Sequence, residues 1–316
     1  MISGVLCVGN IVIDLLTYPV DDIQWGGTRW VESITQSLGG NGANTSSALG
    51  KLGVPVQLIG AIGDDPFGLA ARHRLCDCGV ETSLLQLLPS STACTVALVR
   101  SDGTRAFLHH PGVSRIMWKD AIPLTPAPGT TWFHLGNPFS MTHIRPRSPH
   151  LLAEAHALGL KTSLDTAWDA LGEWMTVLGP SLPHTDLLFL NEDEARMLTG
   201  TLEPALVCER LRSAGASDIV LKLGPRGCVV FHGPEQFHAP AYAVHAIDTT
   251  GAGDCFAGAF LAALQRGRTM AEAASFANAV GALNVQSIGG TSGLLTWDET
   301  LAWMSAPERQ HLSAAI

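Results

Sequence analysis

Short apolar runs alternate with longer helical patterns along most of the chain, and this alternation limits the fold more than any other feature. "GVLCVGNIVIDLL" reads as a strand, and "ANTSSALGKLG" after it as a helix that stops at Gly53. "VQLIGAIG" is a strand, and "PFGLAARHRLCDCG" a helix with Pro66 at its start and Gly79 at its stop. "TTWFHLG", "KTSLDT" and "DLLFLN" are further strands, followed by the helical patterns "PRSPHLLAEAHALG", "DALGEWMTVLG" and "EDEARMLTG". "DIVLKLG" and "CVVFHG" form a strand pair. Strands that are apolar throughout, each followed by a helix, predict a three-layer, doubly wound, mostly parallel sheet covered by helices. After Asp254, "CFAGAFLAALQRG" and "MAEAASFANAVGALNVQS" are helical and rich in small residues, as close helix packing requires.

Two regions break the rhythm. Residues 12–38 hold "IVIDLLTYPV" and "TRWVESITQSL", and residues 92–112 hold "TACTVALVRS", an Asp102-Gly103 turn and "TRAFLHHPG". Both alternate apolar and polar, and the second is a hairpin signal. They predict a small β-sheet inserted as a lid into one domain spanning residues 1–316, with Val96, Leu98, Phe107 and Leu108 needing cover on its face.

Composition narrows the function. The chain has 316 residues, of which 46% are hydrophobic and 15% charged, with a net charge of -9. That balance argues against general nucleic-acid binding. No apolar run reaches the roughly 18 residues of a membrane span. Seven scattered cysteines without a CxxC pair predict reduced thiols and a cytoplasmic protein. The twelve histidines show no metal-ligand spacing, and His109-His110 read as ligand-contacting or solvent-facing.

Four stretches carry candidate chemistry. "DTTGAGD" ends in Asp254 at the start of an apolar helix, where glycines expose backbone N–H groups to an anion and the helix dipole favours negative charge. Asp254 is also placed to cap that helix. "GGNGAN" offers the amides of Asn41 and Asn44 beside bare backbone, suited to a polyhydroxylated ligand or to a capped turn. Asp14, at the exit of the first strand, is an acceptor for paired hydroxyls or merely a strand-end polar residue. "NEDE" places Asn191 and Glu194 either as a capping box or as an acidic site for hydrated Mg²⁺. "KLGPRG" supplies Lys222, Arg226 and backbone amides for polyphosphate. The first β-α turn lacks GxGxxG, which excludes the usual dinucleotide fingerprint.

Together these stretches resemble the ribokinase-like (PfkB) family of carbohydrate kinases, in order and over nearly the whole chain. The resemblance implies ATP-dependent phosphorylation of a hydroxymethyl group on a small sugar, with a nucleoside kinase or a catalytically idle sugar-binding regulator as alternatives. Asp254 would be the general base, and the amides of Gly251, Ala252 and Gly253 the anion hole. Asp14, Gly40, Asn41 and Asn44 match sugar-contacting positions. Lys222, Gly224 and Gly227 would line the ATP phosphates, and Asn278 falls near the adenine pocket. Asn191 and Glu194 would hold Mg²⁺ through water. Asp248 and Thr250 match a monovalent-cation loop for K⁺, completed by carbonyls near Val285, Ile288 and Gly290. A homodimer joined through the lids is also implied. Two departures bear on the substrate. Ribokinases have a lysine where this chain has Asn41, and a glutamate where it reads "HLGNPF", so ribose is in doubt. The family's D-x-N-x-R strand end is reduced to Asp165 in "SLDTAWDALGEW", where Asp165 would face the phosphate region and Trp168 would wall the pocket.

Overall fold

The computed structural model describes residues 2–306. Fourteen strands build two sheets among these residues. The larger contains β1 (Gly4–Val8), β4 (Val56–Gly63), β5 (Val80–Glu81), β6 (Leu85–Leu88), β9 (Thr130–Gly136), β10 (Lys161–Asp165), β11 (Leu187–Asn191), β12 (Asp218–Lys222), β13 (Cys228–His232) and β14 (Glu235–Ala239). Its order is β14-β13-β12-β11-β10-β9-β1-β4-β5, with β6 also pairing β4. From β12 to β6 the pairings are parallel, and β12-β13-β14 form an antiparallel edge.

The helices cover both faces of this sheet. On one side lie α1 (Asn41–Lys51), α2 (Pro66–Asp77), α7 (Ala252–Gln265) and α8 (Met270–Asn284), with the cluster around Leu49, Phe189 and Phe260. On the other lie α3 (Ser148–Ala157), α5 (Glu192–Thr199) and α6 (Pro204–Ser213), around Phe133, Leu152 and Leu190. The doubly wound, ribokinase-like architecture expected from the sequence is therefore present. α1 approaches the end of β1 so closely that a Cβ on Gly42 would lie 2.6 Å from the Gly9 backbone. Only glycine fits there.

The smaller sheet contains β2 (Val12–Tyr18), β3 (Ser33–Gly39), β7 (Ala93–Val99) and β8 (Arg105–His110), in the order β3-β2-β7-β8. "GVLCVGNIVIDLL" is thus two strands in two sheets, broken at Gly9–Ile11. Register sorts the side chains. Ser37, Asp14, Thr95 and His109 form one row, and Leu16, Ala97 and Phe107 the next row on that same face. Val96 and Leu108 pair on the opposite face, beside Leu98. Phe107 therefore does not share a face with Val96, Leu98 and Leu108, because strand side chains alternate.

One expected helix is mostly absent. Of "DALGEWMTVLG", only α4 (Met175–Leu178) is α-helical. The Asp169 carboxylate accepts hydrogen bonds from the N–H groups of Leu171, Glu173 and Trp174, and pairs with the Arg145 guanidinium at 2.9 Å. An aspartate that satisfies local amides in this way replaces a helix with turns.

Candidate active site

Because β1 and β9–β12 run parallel, their C-terminal ends gather on one edge, where ligands of open α/β sheets bind. Asn10 follows β1, Asn137 follows β9, Asp165 closes β10, Asn191 closes β11 and Lys222 closes β12. The N-termini of α1 and α7 point to the same edge, since Asn41 of α1 reaches Asp254 of α7.

α7 begins at Gly251, whose φ of 70° lies in the left-handed region. A Cβ there would sit 2.5 Å from the Gly290 carbonyl oxygen. Asp254 lies in the first turn but caps nothing. Its carboxylate accepts from Asn41 Nδ2 at 2.6 Å and Asn44 Nδ2 at 2.8 Å. Among the described residues the N–H groups of Gly251, Gly253 and Asp254 find no protein acceptor, as an anion hole requires. The Ala252 N–H instead turns toward the Thr249 carbonyl at 3.3 Å. Burial raises Asp254 above the ordinary carboxylate range, against the pull of Asn44, Lys222 and Asn41.

Lys222 is directed inward. Its ammonium pairs with Asp165 at 2.7 Å and would lie 3.2 Å from a Cβ on Gly253. Burial works against its charge, and the carboxylates of Asp165, Glu194 and Asp254 outweigh that effect and raise its pKa. Burial likewise pushes Asp165 upward against the Lys222 attraction. Asn191 and Glu194 do form the capping box at the start of α5. Glu194 Oε2 accepts from the Asn191 N–H at 2.8 Å and from Thr166 Oγ1 at 2.6 Å.

The other expected residues divide. Asp14 lies on the face of the smaller sheet that carries Thr95 and His109, and burial raises it to about 6. Gly40 has a φ of 93° and precedes α1. Asn41 is partly open, whereas Asn44 is 2% exposed and donates its Nδ2 to Asp254. Asn44 thus positions the carboxylate from behind. Gly224 and Gly227 form the tight turn between β12 and β13, with φ of 57° and 91°. Asn278 donates to the carbonyls of Ala239 at 2.9 Å and Pro240 at 3.2 Å. Asp248 and Thr250 face not open space but the Arg105 guanidinium, 2.6 Å from Asp248 Oδ1. Trp168 is 59% exposed and packs its ring edge-on against Trp174.

Sequence inspection missed several contributors. Asn137, in the left-handed region at φ 53°, donates to Asn41 Oδ1 at 3.0 Å and so orients the amide that holds Asp254. Its signal is present in "HLGNPF", a polar residue directly beyond a strand buried from Trp132 to Gly136. Asn10 Oδ1 accepts from the Asn41 N–H at 3.0 Å. His134 is fully buried beside Ser163, and burial pushes it down to about 3, so it is neutral.

Known proteins resemble this chain in sequence and fold. A chain 32% identical over 305 residues, covering 95% of this chain and 98% of its own, is the ATP-dependent ribose-1-phosphate kinase of Halopiger xanaduensis. The aminoimidazole riboside kinase of Salmonella typhimurium is 28% identical over 287 residues, covering 85% of this chain and 88% of its own. A crystallised Escherichia coli protein assigned as ribokinase II, in complex with ATP and Mg²⁺, superposes with a TM-score of 0.80 at 25% identity, over 96% of this chain and 99% of its own. The family model for the pfkB family carbohydrate kinases matches residues 3–297. The match runs over nearly the whole chain, and the chain belongs to the pfkB family of carbohydrate kinases, ATP-dependent enzymes that phosphorylate an alcohol.

Proposed function

We propose that this kinase transfers the terminal phosphoryl group of ATP to a hydroxymethyl group of a small sugar or sugar derivative, with Asp254 as general base. One observation carries the proposal: Asp254 is fixed by two asparagine amides in the same helical turn that leaves the amides of Gly251 and Gly253 unpaired. A loose phosphoryl-transfer transition state needs positioning and charge neutralisation more than strong bases. Asp254 orients the attacking hydroxyl and takes its proton late. The α7 amides receive the migrating phosphoryl group, and Lys222 adds positive charge beside them. Asp14, Gly40 and Asn41 face the sugar, and the turn at Gly224 and Gly227 admits the nucleotide phosphates.

The residues fit a hydrated Mg²⁺. Glu194 spends only Oε2 on the capping box and Thr166, and its Oε1 accepts no hydrogen bond among the described residues. No cluster of three or more acidic, histidine or cysteine side chains able to hold a metal occurs among them. An ion held through water and substrate phosphates suits that donor set. Bound there, Mg²⁺ would neutralise the phosphate oxygens during transfer.

The smaller sheet would act as the lid of one kinase unit and join two copies into a homodimer. No helix is long and apolar enough to cross a membrane among the described residues, and all seven cysteines are unpaired, which fits a cytoplasmic site of action. A nucleoside or another sugar with a bulky anomeric substituent is the second reading, because Phe107 and His109 share the sheet face of Asp14. An idle sugar binder would not need the intact base and anion hole. A coupled ADP-release screen over sugars, sugar acids and nucleosides tests the proposal. Acceptor-dependent ADP release is expected for at least one hydroxymethyl compound, and release no faster than background ATP hydrolysis across the screen refutes it.

A further inference from the structure

Building on the kinase function proposed above, we infer that the Asp248–Thr250 loop takes its positive charge from Arg105 of the smaller sheet in place of a monovalent cation. Arg105 thereby acts as a positioning residue for the amides of the α7 N-terminus. The loop's oxygens are already engaged by N–H donors. Asp248, 1% exposed, accepts from Arg105 Nη1 at 2.6 Å and the Thr250 N–H at 2.9 Å through Oδ1, and from the Gly289 N–H at 2.9 Å through Oδ2. The same guanidinium reaches Thr250 Oγ1 at 3.4 Å and the Ile247 carbonyl at 3.2 Å. Asn284 Nδ2 lies between the carbonyls of Thr250 at 3.3 Å and Gly290 at 3.0 Å. The Val285 carbonyl accepts from the N–H groups of Ile247 and Asp248. Of the oxygens a cation would use, only the Ile288 carbonyl accepts nothing among the described residues, and Ile288 is 55% exposed.

Charge gives the same answer. The Arg105 guanidinium stands 2.6 Å from the Asp248 carboxylate, which is 1% exposed, and supplies its countercharge. A carboxylate that already faces a guanidinium gains little from a second cation, and the two cations repel. The Thr250 N–H is bound to Asp248, and Gly251 and Gly253 follow directly. Fixing that carboxylate therefore fixes the start of the anion hole. Because Arg105 belongs to β8, the loop is completed only while the smaller sheet lies over it.

Wild-type protein, R105A and R105K are melted in choline, Na⁺ and K⁺ chloride at one ionic strength, and turnover is followed with an acceptor found by the screen. Wild type should melt within about 1 °C and turn over within about twofold in the three salts, because no cation binds preferentially. R105A should melt several degrees lower and lose about tenfold or more in kcat, with KM for ATP within about twofold. Guanidinium or K⁺ at tens of millimolar should restore part of both losses, and R105K should fall between the two proteins. A K⁺-specific rise of more than about 2 °C or threefold in wild type overturns the inference. So does R105A with wild-type kcat, or a loss that neither cation restores. If R105A does not fold, the wild-type salt series decides alone. Melting reports the cation even without turnover, so failure of the kinase assignment is seen separately, as absent ADP release in wild type.

Discussion

Asp254 and Asp14 are both buried carboxylates with raised pKa values, and their neighbours separate their roles. Asp254 stands beside unpaired helix amides, where a phosphoryl group would sit, whereas Asp14 stands in a polar row of the smaller sheet. D254N keeps the shape and should keep ATP binding, while turnover falls roughly 10²- to 10⁴-fold because only the base is lost. Isothermal titration with ATP and a steady-state assay check both halves, and near-normal turnover would remove Asp254 from the mechanism. In the proposed sugar site Asp14, raised to about 6, can accept from paired hydroxyls through both oxygens only while ionised. As pH falls through that value Asp14 is protonated, so KM for the sugar should rise below pH 6. D14N should show a high KM that no longer responds to pH between 5 and 7 by more than about twofold. Asp254, Asn41 and Asp14 were legible because each lies inside a local pattern. Asn137 and Arg105 were not, since each meets its partner from a distant segment.

At the scale of elements, two helix starts on the same edge are built differently. α7 starts on a left-handed glycine with no side-chain cap, leaving its amides for a ligand. In G251A the strained φ costs roughly 1–2 kcal/mol, and the new Cβ would meet the Gly290 carbonyl at 2.5 Å. The variant should melt several degrees lower and lose more in kcat than in ATP affinity, measured by calorimetry and steady-state kinetics. α5 starts on a complete capping box. Glutamine also supports such a box, so E194Q should shift Tm little while the Mg²⁺ concentration for half-maximal rate rises severalfold. A lower Tm with an unchanged Mg²⁺ titration would show that Glu194 serves the helix alone. Both starts were visible in sequence as punctuation. Whether each caps a helix or serves a ligand depended on which side chains fill the edge.

At the scale of the whole molecule, the face of the smaller sheet opposite Asp14 carries uncovered apolar side chains. Leu108 is 62% exposed and Ile34 65%, beside Val96 and Leu98. An uncovered edge and apolar face favour pairing with a second copy. V96D or L98D should shift the protein toward monomer in light scattering and raise KM for the sugar more than for ATP. A wild-type monomer at micromolar concentration with full activity would refute the lid-joined dimer. Strand-helix alternation by itself determined the parallel sheet, because buried parallel strands must be apolar along their whole length. The glycine-bounded motifs by themselves placed Asp254 beside bare backbone at a helix start, because a left-handed glycine opens the helix there. Only the tertiary structure decided that Asn44 holds Asp254 and Asn137 holds Asn41, that Phe107 and Leu108 lie on opposite faces of the smaller sheet, and that Arg105 meets Asp248. Each of these depends on strand register or on contacts between residues 96 or more apart in the chain, and neither is encoded in any local run.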